Sequence, residues 1–426
     1  MMTFAWTRYR QRGAGMELYF KREECCGCGA CVDVCRVQAV RMRQDGEGFL
    51  YPEIDRSICV HCGRCEEVCP VKKHTLPDEV LRPAGHVFRC ALGYTLTDKA
   101  RTLHRGMDYG MPLENPSAEC WNQYIGARAK SAAVRNSSSS GGMFSILAQY
   151  VLERKGVVFG AGYNSRMEVV HRGAENLEQL EKIKRTKYVQ SNIQGIFLKV
   201  EQCLKGRRWV LFCGTPCQSQ ALRLFLGQEY DTLIVVDLVC YGVPSPGIWE
   251  NYVKYLEYRH HGKMTEFSFR DKRAQDYGHT CAYVINGEEY AGSLFQDRFC
   301  RMYFKNYILR PSCHSCKFCT VDRSSDFTIG DFWGIEKVRP DLDDGMGNSM
   351  MILHTEKARR IWEQVQEDVD WFECTKEDLL QPRLTKPTCR AKGRRMLLLL
   401  YKLLPFFLFI RAADDRAWIW KLFRKK

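Results

Sequence analysis

Eight cysteines fall in two runs that share one spacing: Cys25, Cys28, Cys31 and Cys35, then Cys59, Cys62, Cys65 and Cys69. Three thiolates on one tight loop can hold one face of an iron–sulfur cubane, while the fourth of the run crosses to a second cubane. By that rule Cys25, Cys28, Cys31 and Cys69 hold one 4Fe–4S cluster, and Cys59, Cys62, Cys65 and Cys35 hold the other. Gly27, Gly29 and Gly63 let the backbone wrap closely and point amides at the sulfides. Paired Cys-x2-Cys units also bind zinc, but zinc does not need two four-cysteine runs with a common repeat. Cys26 reads as a bystander thiol and His61 as a solvent-facing spacer.

This block resembles the bacterial dicluster ferredoxins, with one departure. Pro70 follows Cys69 as expected, whereas Arg36 stands after Cys35 where proline is usual. The departure alters a local turn or raises a potential and leaves the ligands intact.

The elements that must position these thiols come from a chain of 426 residues with 22 cysteines. The first sixteen residues carry Arg8, Arg10 and Arg12 and no apolar segment of a secretory signal. A disulfide scaffold is therefore not expected, and many cysteines in a reducing, cytoplasmic setting mean metal or redox chemistry. Residues 1–19 read as a disordered N-terminus or a misplaced start, with Met16 the cleaner beginning. The net charge of +14 is concentrated at one end: residues 383–426 hold thirteen basic and two acidic side chains, leaving 51 basic against 48 acidic before them. A basic tail on a near-neutral body does not suggest nucleic-acid binding.

The expected organisation is a cysteine block at 20–72, a proline-bearing linker or insertion at 73–123, a body at 124–375 and a basic, apolar tail at 376–426. Within the body, Arg208–Cys213 reads as a strand, Cys217–Leu226 as a helix stopped by Gly227, and Thr232–Cys240 as a second strand. A strand–helix–strand crossover implies parallel pairing, and ligands collect beyond the carboxyl ends of such strands. Met143–Arg154 reads as a helix followed by the strand Val157–Gly160. The fold class is α+β: a small dicluster ferredoxin-like domain followed by an α/β body with a partly parallel sheet.

Five strings of the body resemble the coenzyme F₄₂₀ hydrogenase/dehydrogenase β-subunit family: Arg135–Phe144 (RNSSSSGGMF), Thr186–Ser191 (TKYVQS), Leu211–Gln218 (LFCGTPCQ), Asp237–Ser245 (DLVCYGVPS) and Cys313–Gly334 (CHSCKFCTVDRSSDFTIGDFWG). They run in the family's order over about residues 124–370. The resemblance implies a flavin-binding body: an iron–sulfur flavoprotein that binds FAD and passes electrons between clusters and a substrate, a deazaflavin in methanogens and a chlorophyll derivative in plant and cyanobacterial relatives.

Several residues carry that expectation. Ser137, Ser138, Ser139, Ser140, Gly141 and Gly142 form a hydroxyl-rich loop opening a helix, suited to a cofactor phosphate; the alternative is a capped helix start. Lys187, Gln190 and Ser191 contact FAD by family analogy. Gly214, Thr215, Pro216 and Gln218 lie at a strand-to-helix turn whose amides face a ligand. Cys217 at that turn reads as a nucleophile lowered by the helix N-terminus, or as a ligand. The resemblance implies a third 4Fe–4S cluster on Cys217, Cys240, Cys313 and Cys316, with Cys319 able to replace one of them and Cys213 a buried free thiol. Asp331 and Trp333 either line the active site or belong to the core, and Arg270 and Lys272 could pair with an anionic substrate. No residue is assigned a catalytic role. Triad, zinc-protease and nucleotide-triphosphatase signatures do not occur.

The tail contains Met396–Ile410, fifteen residues, apolar except for Lys402 and broken at Pro405. A span needs about twenty, so the two readings are a segment on an anionic membrane surface and a helix docked on the core or a partner. The expected function is an oxidoreductase taking electrons from ferredoxin or another one-electron carrier, through the clusters and FAD, to an unidentified two-electron substrate. The alternative is an electron-transfer subunit of a larger dehydrogenase or membrane complex. A redox sensor has no effector-domain sequence behind it.

Overall fold

Runs such as Leu233–Leu238 (LIVVDL) and Val210–Gly214 (VLFCG) are apolar at consecutive positions, the pattern of strands covered on both faces. In the computed structural model, which describes residues 18–73, 122–273 and 278–414, they lie at the centre of an eight-stranded sheet. The N-terminal hairpin supplies β1 (Val40–Gln44) and β2 (Leu50–Ile54). The body begins with β3 (Gln123–Ala129), β4 (Val157–Tyr163), β5 (Val169–Ala174), β6 (Val210–Gly214) and β7 (Leu233–Leu238). Then come β8 (Met264–Asp271), β9 (Thr280–Ile285), β10 (Glu288–Ser293), β11 (Phe327–Asp331), β12 (Ser349–Leu353) and β13 (Val369–Glu373). The large sheet has the order β13-β3-β12-β11-β7-β6-β4-β5.

Its middle is parallel: β4 with β6, β6 with β7, and β7 with β11. The outer pairs are antiparallel. The sheet is thus partly parallel, as the crossover at 208–240 implies. The crossover helix Pro216–Leu226 starts with proline in its first turn and a capping box between Thr215 and Gln218, and Gly227, at φ +65°, ends it. The strand read to Cys240 stops earlier, at Leu238, so Cys240 sits in the loop beyond the strand end.

One face of the sheet packs on the helix Met143–Glu153 through Met143, Leu147 and Val151. The other packs on the helices Ile196–Lys205 and Pro216–Leu226, and Cys28, Ala30 and Val68 of the N-terminal block join that same cluster. The small sheet β10-β9-β8 shares a third cluster with the helix Pro246–Arg259.

The N-terminal block folds as the β1–β2 hairpin with the short helices Ala30–Asp33 and Arg64–Glu67. It is bound to the body at specific points. Gly195 N donates to Asp33 Oδ1 (2.9 Å), and Gly247 N donates to the Glu47 carbonyl (3.0 Å). Gly48, at φ +81°, permits the second contact, since a Cβ there would stand 2.3 Å from Gly247 N.

The tail forms helices Arg394–Leu403 and Phe406–Asp414, with the break at Pro405. Leu397, Leu400, Phe409 and Ile410 are buried in the third cluster, so the docked reading describes this segment. No helix among the described residues is long and apolar enough to cross a membrane. Of the sequence-based boundaries, nearly all of the start (1–17), nearly all of the linker (74–121) and the end of the tail (415–426) lie outside the described residues.

Candidate redox centres

Cys25, Cys28, Cys31 and Cys69 line one small cavity, together with Cys65 and the apolar Leu18, Met42 and Pro52. These are the four that the crossing rule assigns to one cluster. The geometry is local: Gly29 and Gly63, at φ +75° and +77°, turn the chain sharply into the short helices that carry Cys31 and Cys65. Burial and the neighbouring thiols push Cys28, Cys31 and Cys69 above the ordinary thiol range. Such crowded thiols become thiolates only beside a bound cation, and an all-sulfur donor set suits iron–sulfur clusters. The other set opens outward. Cys62 is exposed, and Cys35 accepts from Ala39 N at 3.2 Å.

A second cavity lies beyond the carboxyl ends of β6 and β7, and six thiols line it: Cys26, Cys217, Cys240, Cys313, Cys316 and Cys319. Cys217 comes from the first turn of the crossover helix, Cys240 from the loop after β7, and Cys313 from the short 3-10 turn Pro311–Ser315, with Cys316 directly after it. Thr215 Oγ1 lies 3.2 Å from Cys217 Sγ, and Val243 N donates to Cys313 Sγ at 3.4 Å. Burial and neighbouring groups hold Cys217 and Cys240 well above the normal range, and burial pushes Cys313 up to about 12. That argues against Cys217 as an activated nucleophile in the metal-free chain. The donor set again fits a 4Fe–4S cluster. Cys213 lies outside this cavity, near Lys187, and burial pushes its thiol up to about 12.

The third feature is a cleft of about 950 Å³ between the sheet and β8–β10, lined by Ser137, Lys184, Arg185, Thr186, Lys187 and Lys272 among others. Of the serine loop, only Ser137 reaches it. Ser138 Oγ donates to the Val134 carbonyl (2.7 Å), Ser139 Oγ accepts from Thr186 N (2.8 Å), and Ser140 Oγ donates to the Asn348 carbonyl (2.8 Å). Gly141 N donates to Ser349 Oγ (2.9 Å), and Gly142, at φ +97°, opens the helix Met143–Glu153. The loop is therefore pinned to β12 and to the Thr186 segment.

Two lysines stand at this cleft with depressed basicity. Lys187 Nζ donates to the Lys184 and Arg185 carbonyls, and burial with Arg185 nearby lowers it to about 7. Lys272 Nζ donates to the Arg135 carbonyl (3.0 Å) and to that of Ser140, and burial beside Arg270 lowers it to about 7. Arg270 itself is committed to Asp331 (2.6 Å), and Trp333 is exposed rather than in the core.

The residues expected around FAD divide between the two sites. Ser137 and Lys187 line the cleft, whereas Gln190, Thr215, Pro216 and Gln218 line the thiol cavity. Between them runs a buried polar chain. Gln218 Nε2 donates to Ser191 Oγ (3.3 Å), which lies 2.8 Å from His171 Nδ1, and His171 Nε2 lies 3.0 Å from the Cys213 carbonyl. Burial lowers His171 to about 4, so it is a neutral imidazole with Nε2 as donor and Nδ1 as acceptor. Gly214 sits at the end of β6 beneath Gln218.

Three functional positions are missed by sequence reasoning. Cys26 lines the thiol cavity rather than standing by. Arg310 is fully buried and donates to the carbonyls of Cys25 (2.8 Å) and Leu50 (2.9 Å), and His171 is hidden in an ordinary strand. Only Cys26 carries a signal, as the extra thiol of its run.

Residues 207–376 match the family model for the C terminus of the coenzyme F₄₂₀ hydrogenase/dehydrogenase beta chain, and residues 24–73 match the 4Fe–4S dicluster domain. The serine loop and Thr186–Ser191 lie outside the matched stretch. Among solved structures, the chain is similar to a chain of the F₄₂₀-reducing [NiFe] hydrogenase complex from Methanosarcina barkeri. The identity is 17% and the TM-score 0.40, with 66% of this chain and 93% of that one covered. No curated protein matches the chain.

Proposed function

The chain belongs, through residues 207–376, to the coenzyme F₄₂₀ hydrogenase/dehydrogenase β-subunit family and carries a 4Fe–4S dicluster domain at 24–73; from that premise we propose an iron–sulfur flavoprotein oxidoreductase with three 4Fe–4S clusters and one FAD. When bound, the clusters carry single electrons and the flavin converts them to two-electron chemistry. The chain's own residues set the order of the sites. Of the outer set, Cys62 is exposed and Cys35 and Cys59 are half-buried, and the exposed apolar Val37, Ile58 and Val60 lie near them in the same block with Arg36 and Arg64. This is where a ferredoxin or similar carrier would dock. Cys25, Cys28, Cys31 and Cys69 follow inward, then Cys217, Cys240, Cys313 and Cys316. The chain Gln218–Ser191–His171 leads on to the buried floor beside Cys213 and Lys187.

At the cleft, Ser137, Lys184, Lys187 and Lys272 offer a hydroxyl and three ammonium groups to an anionic cofactor or substrate. A cytoplasmic, reducing setting suits this use of cysteine. The observation that carries the reading is the placement of six thiols in one cavity directly against the dicluster block.

The test is iron, acid-labile sulfide and flavin stoichiometry on anaerobically purified protein. About twelve irons with one FAD per chain supports the proposal; about eight irons without flavin overturns it.

A second reading, an electron-transfer subunit, is favoured by the outer face of the tail, where Met396, Leu399, Leu403 and Phe407 are exposed. A partner protein or an anionic membrane surface would cover that face. Turnover of the chain alone with reduced ferredoxin favours the enzyme; obligate copurification with a dehydrogenase favours the subunit.

A further inference from the structure

Cys26 occupies a position that no other described cysteine does: it lines both the first N-terminal cavity and the thiol cavity of the body. Its thiol is within hydrogen-bond reach of Cys28 on one side and of Cys217 on the other. We propose that Cys26 is a positioning thiol joining these two sites, one that ligates neither and donates its S–H toward the ligand sulfurs of both. The proposal rests on the three-cluster reading above.

Ligand arithmetic leaves Cys26 free for this role. The first cavity already has Cys25, Cys28, Cys31 and Cys69. In the body cavity Cys217, Cys240, Cys313 and Cys316 interact with one another, while Cys319 stands beside Cys316 and Cys240, away from Cys26. Cys26 is thus the remaining thiol on the boundary.

The backbone that aims it is held tightly. Gln190 Nε2 donates to the Cys26 carbonyl at 2.9 Å, and Arg310 Nη1 donates to Gln190 Oε1 at 2.8 Å. Arg310 Nε holds the Cys25 carbonyl, and its guanidinium lies 4.3 Å from the Tyr51 ring centre. Gly27, at φ +70°, completes the clamp, because a Cβ there would stand 2.6 Å from Arg310 Nη1. A loop fixed this closely has little freedom to turn the thiol elsewhere.

Hydrogen bonds to cluster sulfurs raise reduction potentials. A single S–H shared between two ligand thiolates would therefore tune both sites and fill the gap between them. No bond at Cys26 forms or breaks, and it keeps its proton and electrons throughout.

The experiment compares the full chain, Cys26→Ala and Cys26→Ser, all purified anaerobically. Iron and sulfide are counted first, then EPR-monitored redox titrations and electron redistribution after pulse reduction. Cys26→Ala should keep the wild-type iron, about twelve per chain. It should lower the potentials of the first N-terminal site and the body site and slow redistribution at least tenfold. Cys26→Ser, which retains a donor, should restore part of each change. Loss of about four irons in Cys26→Ala would make it a ligand and overturn the proposal. So would potentials and redistribution that match wild type. A wild-type count of about eight irons is a separate failure, that of the three-cluster reading, and is known before any variant is made.

Discussion

The two sets of cysteine sites in this molecule are built in opposite ways. The N-terminal sites draw all their thiols from residues 25–69, in loops whose turns are set by Gly29 and Gly63. The body cavity takes Cys217, Cys240 and Cys313 from three separate elements, and Cys26 from the other domain. A site made within one segment is specified by spacing, because short loops leave few ways to arrange the ligands. A site gathered across a sheet exists only once the sheet has folded.

The largest effect that separates them is loss of metal. Cys31→Ser should remove about four irons, one cluster's worth, and leave the body site loaded; Cys240→Ser should do the reverse. Chelator-resistant iron and the EPR signals of each variant measure this. If either substitution empties all the sites, the two sets form one cooperative unit and the contrast drawn above fails.

The same contrast explains what could be read from the sequence. The eight N-terminal cysteines and their division were legible from spacing alone, and the cavity containing Cys25, Cys28, Cys31 and Cys69 agrees with it. The parallel core around β6 and β7 was legible because doubly covered strands are apolar at nearly every position. The body ligand set was approached only through family resemblance. Gln190 shows the limit: TKYVQS places Lys187 at the cleft, but three residues later the chain has passed to the other site, and Gln190 bonds the Cys26 carbonyl. No local pattern records that passage. Arg310 was invisible for the same reason, since its partners lie more than a hundred residues away in the chain. The tail's docking was one of two readings, and the buried Leu397, Leu400 and Phe409 decide it for the described residues.

A smaller effect asks whether the locally specified block depends on the body. Arg394 and Glu47 form an ion pair at 2.6 Å, with side chains only 4% and 8% exposed, linking the tail to the N-terminal hairpin turn. Glu47→Gln leaves the guanidinium buried without its counter-charge, a change that costs about 3 kcal/mol. In denaturant titrations the dicluster absorbance should be lost at a lower midpoint than in wild type. An unchanged midpoint would mean that the N-terminal block holds its clusters independently of the tail, which sharpens the contrast in favour of local specification.

The smallest effect concerns the cleft, a second site assembled from distant segments, where the relevant quantity is the charge of Lys187 and Lys272. Both are lowered to about 7 by burial, so above neutrality each is mainly uncharged in the free protein. A bound anion favours the charged form and raises both values toward the ordinary lysine range. Between the free and bound values, binding therefore takes up protons, and affinity falls as pH rises, by about tenfold per pH unit for each lysine that responds. Below about pH 7 both are already charged, and the profile should be flat. Flavin fluorescence titrations with FAD across this range measure the slope. Lys187→Met and Lys272→Met should each weaken binding at low pH and remove its own share of the slope. A profile that stays flat above neutrality in the wild type would show that neither lysine meets the anion, and that the serine loop and Thr186–Lys187 strings carry structure rather than cofactor binding.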